Sequence, residues 1–189
     1  MTTETLYNEL NYVNHSRENR MYYAQMVIND SSLITKLIEI LMQVDDKVSP
    51  RAAWVLEFAC KDNLDIIIPY LDVFTKNMHR VKKEQAVRPV AKICEYLAKA
   101  YFSKTENKIK TSLTQTHKER IVEVAFEYMI GDYKVAPKAY SMSTLYLFGK
   151  EFDWIHPELA IILERDFYNE SAAFKARARH ILKKLKLNF

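Results

Sequence analysis

Apolar residues recur at intervals of three and four along most of the chain, the spacing of a helix with one buried side. Leu6, Leu10 and Val13 share one face. After Ser16, a capping residue type, Met21, Ala24, Gln25 and Ile28 form the next stripe. Asp30–Ser31–Ser32 opens a third helix, which carries Leu33, Leu37, Ile40, Leu41 and Val44 on one side. After Asp45–Asp46–Lys47, Ser49 is expected to cap a helix with Pro50 in its first position. That helix has the stripe Ala52, Val55, Leu56 and Ala59. Further helices are predicted over 66–77, with Pro69 in the first turn, and over 81–102, where Pro89 starts a new segment or kinks a longer one. Others are predicted over 116–130, 137–148, 154–165 (capped by Asp153) and 172–185. Residues 103–115 are polar and lysine-bearing and read as a loop. Nowhere does strand alternation persist between turn signals, so the chain reads as all-α.

The pattern repeats on a longer scale. Val48–Ser49–Pro50–Arg51–Ala52, Val87–Arg88–Pro89–Val90–Ala91 and Val135–Ala136–Pro137–Lys138–Ala139 share the form V-x-P-x-A. Arg177–Ala178 is a weaker copy without the proline. The aligned alanines, 52, 91, 139 and 178, are separated by 39, 48 and 39 residues. The other two prolines, Pro69 and Pro157, lie 19 and 20 residues beyond Pro50 and Pro137. Periods of this length signal stacked helical repeats. About nine inserted residues in the 103–115 loop account for the longer middle spacing.

Composition changes this picture little. Of 189 residues, two are glycine, Gly131 and Gly149. Each follows a predicted helix, where a left-handed terminator is expected. Glycine-rich phosphate loops are excluded, and so are the serine-hydrolase elbow and the nucleotide-binding fingerprints. Cys60 and Cys94 lack metal-ligand spacing and fit buried thiols in a reducing compartment. His15, His79, His117, His156 and His180 are scattered, in keeping with surface or capping roles. The Asp45–Asp46 pair reads as a polar turn. No catalytic, cofactor or metal constellation emerges, so a non-enzymatic role without a cofactor is expected. With no signal-peptide pattern and no apolar run near the ~20 residues of a membrane span, a cytoplasmic location is expected.

Charge is uneven. The formal net charge is +4, yet residues 1–47 hold seven acidic and four basic side chains. Residues 171–189 hold six basic side chains and none that is acidic. A basic last helix suits nucleic acid or an acidic partner, and also its own C-terminal dipole.

On the steps Arg51–Ala52–Ala53, Lys138–Ala139 and Arg177–Ala178, the chain resembles the HEAT-like, armadillo-type repeats over residues 31–186. Val90 breaks the step in the second copy. The resemblance implies an α-solenoid of about four antiparallel helix pairs, whose second helices begin near 50, 88, 136 and 173. Residues 1–30 would form an N-terminal helical cap and 31–189 the array. It also implies an interaction module that holds a protein partner along a groove. The alternative is a nucleic-acid-binding protein similar to HEAT-like DNA glycosylases. Opposite the inward stripe, Trp54, Glu57 and Lys61 fall on one side of their helix. Repeat spacing adds Ile93 and Tyr96, then Ser141 and Thr144, then His180 and Lys183. Together these make an expected partner-binding ridge.

Overall fold

The computed structural model describes residues 1–186, which contain helices and no strand. Eleven α-helices run in order: α1 (Thr3–Leu10), α2 (Arg17–Asn29), α3 (Ser32–Leu41), α4 (Ser49–Asp62), α5 (Leu71–Asn77), α6 (Glu84–Tyr101), α7 (Lys108–Ser112), α8 (Gln115–Ile130), α9 (Val135–Phe148), α10 (Ile155–Asp166) and α11 (Ala172–Lys186). Short 3₁₀ segments, Leu64–Tyr70 and Met78–Arg80, flank α5. Helices α2, α4, α6, α9 and α11 pack side by side in that order. Against them lie α1 and α3, then the first 3₁₀ segment, then α5 and α8, and finally α10. One continuous core runs from Leu6 in α1 to Leu185 in α11, so α1 and α2 share it with the rest of the chain.

Local chemistry explains the helix ends. Ser16 accepts a hydrogen bond from the Asn19 amide, as a capping serine should. In α8 the Thr114 hydroxyl and the His117 ring complete a reciprocal capping box. His117 Nδ1 accepts from the Thr114 amide at 3.2 Å, and Nε2 faces Asp72 Oδ1 at 3.0 Å. Ser49 departs from expectation. It lies inside α4, and its hydroxyl donates to the Leu41 carbonyl at 2.7 Å, tying the start of α4 to the end of α3. Asp153 makes no cap either; Trp154 precedes α10 without a side-chain cap.

Several other expectations are corrected. Neither glycine is left-handed: φ is −72° at Gly131 and −63° at Gly149. Both are needed for close approach. A Cβ on Gly131 would lie 2.6 Å from the Tyr133 ring, and one on Gly149 would overlap the His156 ring. That ring stacks on Tyr146 and contacts its carbonyl at 2.9 Å, closing the α9–α10 corner. Residues 103–115 are not all loop. Asn107 caps α7, which buries Ile109, and Leu113 is buried just beyond it. The segment around Pro69 is 3₁₀ rather than the first turn of an α-helix. Helix α6 begins at Glu84 rather than near 88. In α2 the buried side is Tyr23, Ala24 and Val27, while Met21 and Ile28 are half-buried against Phe58 and Ala59. The basic residues of the repeated step do different jobs: Arg51 donates to the Asn11 carbonyl at 3.0 Å, Lys138 pairs with Glu170, and Arg177 is exposed.

Leu56 is fully buried, whereas Leu182 is only half-buried. In urea denaturation Leu56→Ala should lose about 2–5 kcal/mol, the range for a truncated core leucine. Leu182→Ala should lose at least about 1 kcal/mol less, in proportion to the smaller area it removes from water. Equal losses at the two positions would contradict this packing.

Candidate functional site

The expected ridge is not one exposed strip. Glu57, Ile93, Ser141 and Thr144 are buried, Trp54 and Tyr96 are half-buried, and Lys61, His180 and Lys183 are exposed. Helices α4, α6 and α9 each have a neighbour from the row α2, α4, α6, α9, α11 on both flanks and other elements beneath. Positions opposite the inward stripe are thus partly covered by the next helix. His180 and Lys183 sit on α11, beyond α9, and are not brought together with Trp54 and Tyr96. Lys61 lies at the far end of α4, its ammonium 5.9 Å from the centre of the Phe58 ring.

Cations and aromatics interleave across the middle of this face. Arg20 of α2 lies over Trp54 and Phe58 of α4, at 5.6 and 4.8 Å from the ring centres. Its Nε also donates to the Ser16 carbonyl at 3.3 Å. Arg88 of α6 grips Glu57 of α4 with both terminal nitrogens, at 3.3 and 2.6 Å. Lys92 reaches Glu95 at 2.6 Å and lies over Tyr96 and, at 4.2 Å, over Tyr140 of α9. Sequence reasoning placed Trp54, Glu57 and Tyr96 here but missed Arg20, Lys92 and Tyr140. No spacing within one helix reveals a cation that meets its ring on a different helix.

Trp54 has a further role that follows from backbone chemistry. Pro89 sits well inside α6 and has no N–H, so the Gln85 carbonyl, four residues earlier, loses its helical donor. Trp54 Nε1 donates to that carbonyl at 2.9 Å. The indole of α4 therefore satisfies the group that the proline of α6 leaves open.

Electrostatics follow the same arrangement. Burial would raise the Glu95 carboxyl, but hydrogen bonds from Lys92 and Lys99 outweigh it and hold the group below the usual glutamate range. Burial, aided by Glu57, Tyr140 and Glu95, pushes the Tyr96 phenol up to about 12. Burial and then Arg88 lower the Arg20 guanidinium, against the pull of Glu57. Beside these groups opens a cleft of about 290 Å³, lined among others by His15, Arg20, Trp54, Glu84, Arg88 and Lys134. Glu57 is held by Arg88, while Lys134 and Glu84 line the cleft with no ion pair among the described residues.

Burial raises both cysteine thiols, Cys94 to about 12, so neither supplies a thiolate near neutral pH. Among the described residues no three histidine, cysteine or carboxylate side chains converge as a metal site. No described helix is long and apolar enough to cross a membrane. Comparison with protein-family models, curated proteins and solved structures gives no match.

Two measurements check this geometry. Trp54→Phe should cost about 0.5–1.5 kcal/mol, the net value of one hydrogen bond. In a Pro89→Ala background, where an amide again faces Gln85, the same change should cost clearly less. Equal costs in both backgrounds would dissociate the indole from the proline. The Glu95 cluster gives a pH signature. With a depressed folded-state pKa, its contribution is fully present above the unfolded glutamate pKa and is lost as pH falls through the folded value. Glu95→Gln should flatten that acid limb in stability measurements across the acidic range; an unchanged limb would contradict the pairing.

Proposed function

We propose that the chain is a short array of stacked helix pairs, a HEAT-like solenoid, acting as a non-enzymatic interaction module. It holds a protein partner on the exposed side of its second helices. Support for the array comes from the side-by-side order α2, α4, α6, α9, α11 and from the V-x-P-x-A copies at the starts of α4 and α9. In such arrays each unit covers its neighbour's apolar stripe, and the open face is left for binding.

The observation that carries the functional reading is the cation–aromatic face spanning four helices, from Arg20 on Trp54 to Lys92 on Tyr140. Large rings held by neighbours offer contact area at small entropic cost. The adjoining cleft, lined by Arg20, Arg88 and Lys134 against the single carboxylate Glu84, suits a carboxylate side chain of the partner. A continuous nucleic-acid face is less well supported here. Lys82 pairs with Glu127, Lys83 donates to the Asp45 and Asp46 carbonyls, and Arg88 holds Glu57. These cations are engaged within the fold.

Trp54 is a poor probe of binding, because removing it also uncovers the Gln85 carbonyl. Lys134→Glu/Ala136→Glu reverses charge at the cleft mouth without touching the paired groups. In nuclease-treated affinity purification from the native host with quantitative mass spectrometry, protein partners should be recovered at least about tenfold less with this variant. Unfolding of the variant should match that of the wild type. An unchanged set of recovered proteins would remove the face from consideration.

A further inference from the structure

The cations at the C-terminal end of the fold differ from those in the middle. Helix α11 carries Lys175, Arg177, Arg179, Lys183, Lys184 and Lys186 and no carboxylate. Among the described residues none of them is ion-paired. Of the nearby acids, Asp166 is held by Arg165 at 2.6 and 2.9 Å and Glu170 by Lys138 at 2.5 Å, while Glu164 lines the same groove with no ion pair among the described residues. The helix dipole favours cations only in the last turn, so it accounts for Lys183, Lys184 and Lys186 but not for Lys175, Arg177 and Arg179.

Burial of Phe174, Ala178, Ile181 and Leu185 fixes the rotation of α11. Arg179, Lys183 and Lys186, at i, i+4 and i+7, then fall on one stripe beside the α10–α11 corner, about one helical turn apart. They line a groove of about 640 Å³ together with Glu164, Phe167, Tyr168 and Leu182. The corner is built rather than loose. Lys175 Nζ donates to the Tyr168 carbonyl at 3.1 Å, and the Arg179 guanidinium lies 5.4 Å from the centre of the Phe167 ring. Phe167 meets Tyr168 edge-on at 5.5 Å. Tyr168 is nevertheless 83% exposed. The corner thus fixes the backbone under a large ring whose own surface is left open.

We propose that this groove binds single-stranded nucleic acid, with consecutive phosphates on Arg179, Lys183 and Lys186 and an unpaired base stacked on Tyr168. A row of cations at one-turn intervals, with no interleaved carboxylate, matches an anion whose charge repeats along a strand. A flat aromatic face beside such a row is how proteins hold unpaired bases without reading sequence. A duplex hides its base faces and would leave Tyr168 idle. A lipid surface calls for protruding aliphatic groups, and among the described residues Leu182 is the one aliphatic side chain lining the groove. This site is separate from the face of α2, α4, α6 and α9, and it stands or falls independently of the protein-partner reading.

The test is fluorescence anisotropy of the full chain with a labelled oligothymidylate of about 20 nucleotides. Three or four phosphate contacts predict a loss of affinity of roughly 20- to 50-fold between 50 and 200 mM salt. Arg179→Ala and Lys183→Ala should each lower the magnitude of the log–log salt slope by about 0.7. Tyr168→Ala should weaken binding about 5- to 150-fold at fixed salt and leave that slope unchanged. Its ring is largely exposed and contributes little to the core, and a wild-type unfolding transition verifies that the variant folds. Absence of binding at 50 mM salt would overturn the proposal. So would equal affinity for a duplex of the same length, for polyglutamate or for vesicles containing 30% phosphatidylserine. An unchanged affinity in Tyr168→Ala would overturn the stacking contact and with it the single-strand assignment.

Discussion

A helix with neighbours on three sides cannot follow the simple division into a wet face and a dry one. Helix α4 lies between α2 and α6 and over α3 and the first 3₁₀ segment, and all its residues from Val55 to Cys60 are buried. Two consequences follow. Small residues must sit where helices approach, as Ala52, Ala53 and Ala59 do. Any charge on such a helix must find its partner inside the protein, because water is no longer beside it. Glu57 does so with Arg88, and Glu95 with Lys92 and Lys99. Removing one member of such a pair leaves a buried charge uncompensated, which costs far more than the intact pair contributes. Side-by-side packing of α4 and α6 therefore depends on the Glu57–Arg88 pair as well as on apolar area.

That constraint also separates what the sequence made legible from what it did not. Helix existence came from periodicity, and the starts of α4, α9 and α11 came from the proline copies and the final stripe; these are local signals, and the structure agrees within a residue or so. The helical wheel failed at Glu57, Ile93, Ser141 and Thr144 for one reason. It assumes a single buried side, and helices inside a row have more than one. The polar stretch 103–115 hid α7 because one turn needs only two apolar residues, Ile109 and Leu113, which look incidental among lysines and threonines. The glycines were assigned to the right places for the wrong cause. Helix ends often need a left-handed residue, but here the aromatic rings of Tyr133 and His156 occupy the space of a side chain. Nothing short-range records those contacts.

The second V-x-P-x-A copy shows how a repeat can keep its letters and change its mechanics. In α4 and α9 the proline lies in the first turn, where no amide is missed. In α6 the helix starts at Glu84, so the same proline lies deeper and opens the Gln85 carbonyl. The repair comes from Trp54 on α4. A defect in α6 is thus closed by α4, which couples the two helices through a polar contact as well as an apolar one. The signal was partly present in sequence, since the residues before Pro89 carry helix formers. The tryptophan that answers it is 31 residues away and could not have been chosen in advance.

The same reasoning distinguishes two kinds of positive charge on this protein. Arg88, Lys92, Lys118 and Lys138 each hold a carboxylate, and their cost of desolvation is offset by that partner. Their positions are explained by the fold alone, so their abundance says nothing about a ligand. The α11 cations have no carboxylate partner among the described residues, although the last-turn dipole favours Lys183, Lys184 and Lys186, Lys175 donates to the Tyr168 carbonyl and Arg179 lies over Phe167. Glutamate would serve solubility on those positions as well as lysine, and in the first turn it would suit the dipole better. Counting charges on the whole chain, +4, conceals this distinction; asking which charges already have partners exposes it.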